Sequence, residues 1–122
     1  MTSPYKNPQG LGRILAAFRY SCAGLSTAWR GEAAFRLLVW LNVVLLPLAC
    51  MLDVSRLERL LLLLSTLATL LVELFNSAIE AAVDHTSLAP HPLAKQAKDL
   101  GSAAQMLALL MLCLVWGMVL WR

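Results

Sequence analysis

Charge is what this sequence has least of. Only 14% of its 122 residues are charged, where soluble domains of this size carry roughly a quarter. The net charge is +3 and no polybasic run occurs, which argues against a nucleic-acid partner. Cysteine is also scarce. Cys22, Cys50 and Cys113 are odd in number and scattered, no Cys-x-x-Cys pair exists, and His85 and His91 complete no zinc pattern. A disulfide framework and a structural zinc site are thereby excluded. Neither a Walker A loop nor a kinase-type glycine-rich loop is present, so a nucleotide site here would be an unfamiliar one. Residues 1–30 hold no signal-peptide core and no convincing cleavage site, and the whole chain is expected to be retained as one small domain.

What is abundant is apolar side chain, at 60% of the residues. It gathers into long blocks, the pattern of a membrane protein. Before the blocks, residues 1–10 read as a frayed start. From about 11 to 29, Leu11, Ile14, Leu15, Phe18, Cys22 and Leu25 recur at helical spacing, with Arg13, Tyr20 and Ser21 to the other side. This stretch is too polar to span and suits an amphipathic helix at the membrane surface. Gly31 interrupts or bends it, and Glu32 follows at interfacial depth.

Transmembrane helices are expected at about 34–52, 60–83 and 101–121, since a span takes roughly 20 apolar residues. In the first, Arg36 can snorkel, Asn42 can bond a neighbouring helix and Pro47 is tolerated. Residues 53–59 make a short, charge-balanced connection, and 85–97, with Pro90 and Pro92, read as an exposed loop. Gly101, Ser102, Ala103 and Ala104 are small enough for close helix approach. Trp116 and Trp121 suit an interfacial belt. Lys6, Arg13, Arg19, Arg30 and Arg36 crowd the N-terminal part. That bias places the N-terminus and the 85–99 loop in the cytoplasm, with Arg122 on the far side.

The second span carries the unusual feature. Glu73, Asn76, Ser77, Glu80 and Asp84 share one face at about 100° per residue. Glu73 lies about eleven residues inside the polar end, roughly 16 Å deep at the helical rise. An acid at such depth is by default a functional-site hypothesis. Glu32, Arg13, Tyr20, Lys98 and Asp99 belong to the same membrane face. Acids with nearby cations suit a Mg²⁺ ion held together with phosphates, and a deeper carboxylate suits a general base on a lipid hydroxyl. Phosphoryl transfer from a soluble donor to a membrane acceptor fits. So does a different class, a small oligomeric channel or transporter subunit whose acids line a proton or cation path. Three short spans enclose little volume, so homo-oligomerisation is expected.

Three blocks carry a family resemblance: Glu32-Ala-Ala-Phe-Arg36; Glu73-x-x-Asn-Ser-Ala-Ile-Glu80 with Asp84; and Ala97-Lys-Asp-x-Gly-Ser-Ala-Ala104. Together, from about Gly12 to Trp121, they resemble the bacterial integral-membrane diacylglycerol kinases. The resemblance implies an all-α homotrimeric helical bundle in the inner membrane, with three transmembrane helices and a surface helix per chain. It implies transfer of the ATP γ-phosphate to diacylglycerol, giving phosphatidic acid. By position, Glu73 would be the general base and Asn76 would place the reacting groups. Glu32 and Glu80 would hold Mg²⁺. Lys98, Asp99, Arg13, Tyr20 and His91 would contact the nucleotide, and Ser102 and Arg59 would lie near the lipid. Leu37 and Leu38 stand where the Gram-negative form carries polar and acidic residues, and Ala89, Pro90 and Pro92 replace polar or aromatic ones. A related branch phosphorylates undecaprenol; the Glu-Ala-Ala-Phe-Arg block and the tryptophan-rich ends are closer to the diacylglycerol branch.

Overall fold

The computed structural model describes residues 10–86 and 88–121. The expected frayed start, with Lys6, and Arg122 lie outside them. Four helices run in order: α1 (Leu11–Gly31), α2 (Ala33–Met51), α3 (Arg56–Thr86) and α4 (Pro92–Leu120), and the described residues contain no strand. The chain divides into two compact units, Met1–Glu32 and Ala33–Arg122.

In the first unit, Gly10 adopts a positive φ of 69° and turns the chain into α1. Leu11, Ile14, Leu15 and Phe18 are exposed along the helix. The polar break falls where the glycine predicts it. The helix ends at Gly31, and Glu32 turns extended while its N–H still donates to Ala28 O at 2.9 Å.

In the second unit, α2, α3 and α4 are each long and apolar enough to cross a membrane. α3 is the middle element and packs against both neighbours. Its 31 residues make about 46 Å at 1.5 Å per residue, well beyond a hydrocarbon core of about 30 Å. Both α3 and α4 are longer than the expected spans, and local chemistry explains each extension. At the start of α3, Ser55 Oγ accepts from Glu58 N at 3.1 Å while Ser55 N donates to Glu58 Oε1 at 3.0 Å. This reciprocal capping box starts the helix at Arg56 rather than near residue 60. At the start of α4, His91 Nδ1 accepts from Leu93 N at 3.1 Å and Pro92 takes the first helical position. Proline is favoured there, because its missing N–H would have had no helical partner. The expected 85–97 loop therefore shrinks to the few residues between Thr86 and Pro92.

The buried positions of α4 are Gly101, Gln105, Ala108, Leu112, Trp116 and Val119. They face a seam on α3 that includes Leu62, Thr66, Thr69 and Glu73. The spacing of three and four residues keeps one stripe of each helix toward the other. At one end Leu62, Leu112, Trp116 and Val119 form an apolar cluster with Ala49 of α2. Trp116 is therefore a core residue, 7% exposed, and not a belt residue, whereas Trp121 is 88% exposed. The indole of Trp116 donates to Thr66 Oγ1 at 3.0 Å, which satisfies its only polar group away from water. In lipid such a bond is worth about 0.6–2 kcal/mol. Asn42 makes the interhelical bond its position suggests, donating to Thr69 Oγ1 at 3.2 Å. α2 continues through Pro47.

Candidate active site

The polar face of α3 changes character with depth. Ser65, Thr66 and Thr69 are buried, and their hydroxyls donate back to carbonyls of their own helix. One turn on, Glu73 is only 6% exposed. Its Oε2 accepts from Gln105 Nε2 of α4 at 2.9 Å, and the same nitrogen donates to Thr69 O at 3.0 Å. Next comes Asn76, packed against Gly101. A Cβ at residue 101 would collide with Asn76 Oδ1, so any larger residue there must displace this amide. Asn76 Nδ2 lies 3.5 Å from Glu80 Oε1, and Asn76 Oδ1 is buried with no hydrogen-bond partner among the described residues.

Glu80 is half-buried and Asp84 exposed. Here the α4 partners become cationic. Lys98 Nζ lies 2.7 Å from Asp84 Oδ1, with both side chains half-exposed, and Glu80 acts on the same ammonium through space. Lys95 pairs with Asp99 at 2.6 Å along α4. Asp84, His91, Lys95, Lys98 and Asp99 line one open cleft where α3 turns into α4. A single seam thus leads from a buried carboxylate, past an amide and a half-buried acid, to an open cleft with two lysines.

The structure brings most of the sequence-derived residues of the second unit together. Glu73, Asn76 and Glu80 share the α3 face; Lys98 and Asp99 stand across from its outer end; His91 caps α4 at the rim of the cleft. Ser102 is exposed beside Gly101. Arg59 is not part of the group. It lies 14 residues before Glu73 on α3, about 21 Å along the axis. Its guanidinium donates to Ala49 O at 2.8 Å and Cys50 O at 2.7 Å. It closes the C-terminal end of α2, where carbonyls lack helical partners. In the first unit, Arg13 and Tyr20 are exposed on α1 and Glu32 is half-buried at its end.

Sequence reasoning missed Gln105. A signal was available: residue 105 follows Lys98 and Gly101 at helical spacing, so it shares their face.

Oxygen donors of the Glu80 and Asn76 kind suit Mg²⁺. Among the described residues no three His, Cys, Asp or Glu side chains gather as a cage. This donor set fits an ion that takes most of its ligands from phosphate and water, which is how Mg²⁺ is usually held.

Fold and site define a small helical membrane protein with an acid buried between two long apolar helices and a charged cleft where those helices join. The sequence model of the prokaryotic diacylglycerol kinase family matches residues 19–120. Curated relatives agree over nearly full length. A protein of Pseudomonas aeruginosa named diacylglycerol kinase is 58% identical over 118 residues, covering 97% of this chain and 96% of its own. One of Escherichia coli K12 with the same name is 44% identical over 118 residues, 94% of each chain. One of Helicobacter pylori 26695, again so named, is 46% identical over 109 residues, 89% of this chain and 85% of its own. The chain belongs to the prokaryotic diacylglycerol kinase family.

Proposed function

We propose that the chain transfers the γ-phosphate of ATP to the hydroxyl of diacylglycerol within the membrane, giving phosphatidic acid and ADP. The observation that carries this reading is Glu73, a carboxylate buried at the apolar end of a polar seam whose other end opens on a lysine-bearing cleft. A lipid hydroxyl can reach the deep end from the bilayer while a nucleotide reaches the open end from water.

Glu73 takes the proton of the lipid hydroxyl. The freed oxygen attacks the γ-phosphorus, the bond from that phosphorus to the β-phosphate oxygen breaks, and ADP leaves with the electron pair. Asn76, one turn from Glu73 and in contact with Glu80, aligns the two reactants. Lys98 offers a point charge to the phosphates, with Asp99 and His91 as further nucleotide contacts; for Arg13 and Tyr20 that role rests on the family resemblance alone. Ser102 lies on the lipid side. Arg59 is left out, because its guanidinium is held by the end of α2. Glu80 is the residue of the second unit that would hold Mg²⁺, and for Glu32 the same role rests on the family resemblance alone; when bound, the ion neutralises phosphate charge as it develops in transfer.

The reading includes a homotrimer in the inner membrane with a cytoplasmic N-terminus. The N-terminal arginines support the orientation through the positive-inside rule. Exposed apolar residues such as Leu37, Trp40, Met106 and Leu110 give α2 and α4 faces that other copies or lipid can cover.

The test is purified protein in mixed micelles with labelled ATP, Mg²⁺ and either diacylglycerol or undecaprenol. Labelled phosphatidic acid is expected. Label in undecaprenol alone would move the acceptor to the other branch, and label in neither lipid would end the kinase reading.

A further inference from the structure

We propose that Gln105 is a positioning residue for Glu73. Its amide N–H holds Oε2 of the carboxylate and so leaves Oε1 to receive the proton of the lipid hydroxyl. This inference rests on the reading of Glu73 as the base.

The amide cannot be turned over. A glutamine NH₂ has two hydrogens, and both are used: one on Thr69 O at 3.0 Å, one on Glu73 Oε2 at 2.9 Å. Reversing the group would set its carbonyl oxygen against two acceptors. Thr69 is itself held, since its hydroxyl donates to Thr66 O at 2.7 Å and accepts from Asn42 Nδ2 at 3.2 Å. A chain of polar contacts therefore runs from α2 through α3 to α4 and ends on the acid. Glutamate has three rotatable side-chain bonds, and tethering one oxygen to a neighbouring helix removes most of that freedom.

The same glutamine is a poor choice for stability alone. Its Oε1 is buried with no hydrogen-bond partner among the described residues, and a stranded buried acceptor is unfavourable. An unbranched or γ-branched apolar residue would fill the seam without it, as Ala108 and Leu112 do further along α4. What the amide adds over such a residue is the contact to Glu73. A base must lie within hydrogen-bond reach of the proton it takes, and a displacement of about 1 Å costs on the order of a hundredfold in rate.

The experiment compares Gln105→Leu, Gln105→Met and Glu73→Gln with the unaltered full chain in mixed micelles. For both Gln105 variants kcat should fall about ten- to a hundredfold. KM for ATP and for diacylglycerol should stay within about twofold, the pattern of an interaction made in the transition state. The unfolding temperature in detergent should fall by no more than about 10 °C, the loss of two buried amide hydrogen bonds, so that both variants stay folded at the assay temperature. If Glu73→Gln is inactive while both Gln105 variants keep full kcat, the positioning role is wrong and the base reading stands. If Glu73→Gln keeps near-normal turnover, the base reading itself fails. Loss of folding in both Gln105 variants would assign the residue a structural role and overturn the proposal.

Discussion

Along α3, the turns around Thr66 and the turns around Glu80 are both polar, yet they use their polar atoms in opposite ways. At the Thr66 end, short hydroxyls return to their own carbonyls and Trp116 closes the seam with an indole donor. Around Thr66 those donors are all used and the neighbours are apolar, although Asn42 Oδ1 of α2, one turn on beside Thr69, is also buried without a donor among the described residues. Toward the other end the side chains are longer, they reach across to α4, and the Asn76 and Gln105 amide oxygens have no protein donor among the described residues. The first region is finished by folding. The second is held in place by folding but keeps acceptor capacity for something else, as a site for a proton, an ion or a phosphate requires.

The largest effect that would sharpen this contrast is at Glu73. Glu73→Gln keeps the shape and the seam but removes the base, so turnover should drop about 10²- to 10⁴-fold while nucleotide binding, read by calorimetry, is largely kept. Glu80→Gln comes next. It should raise the Mg²⁺ concentration for half-maximal rate on the order of tenfold, the loss of about 1.4 kcal/mol in binding; an unchanged Mg²⁺ curve would argue against ligation. A third comparison sets two glycines of α4 against each other. Gly101→Ala forces the Asn76 amide aside and should lower both turnover and stability, the latter by about 1–3 kcal/mol. Gly117→Ala meets nothing within 4 Å and should be neutral or stabilising by up to about 1 kcal/mol in thermal unfolding. Trp116→Phe belongs to the closed end. It should cost about 1 kcal/mol of stability by removing one buried donor, with kcat unchanged; a large loss of activity would break the division between the two ends. The smallest effect is expected for Lys95→Ala. Its pair with Asp99 is solvent-exposed, and exposed pairs within a helix contribute little, so unfolding should be indistinguishable from the unaltered protein.

Much of this was legible from residue order. Three apolar blocks announce three long helices, and the spacing of Glu73, Asn76, Glu80 and Asp84 announces a shared face. The break at Gly31 and the interhelical role of Asn42 follow from single residues. The helix ends were less legible. Ser55 with Glu58, and His91 with Pro92, are helix-start signals, but both sit among charges and prolines that also read as loop. Trp116 misled for a different reason. Tryptophan near a span end is compatible with a headgroup belt and with a core, and only the position of Thr66 on the facing helix decides between them.

By itself the sequence determined that the chain is helical, that three helices are long and apolar enough to cross a membrane, and that the middle one carries an acid deep within its span. Those properties are local, set by side-chain polarity and the 3.6-residue repeat. The tertiary structure decided what the acid touches. Gln105 lies 32 residues from Glu73 in the chain, and no periodicity within one helix can say which turn of another stands opposite. The close approach at Gly101, the buried stripes that α3 and α4 turn toward each other and the antiparallel run of the two helices set that register. They alone turn a glutamine that reads as an isolated polar residue in a span into the partner of the buried carboxylate.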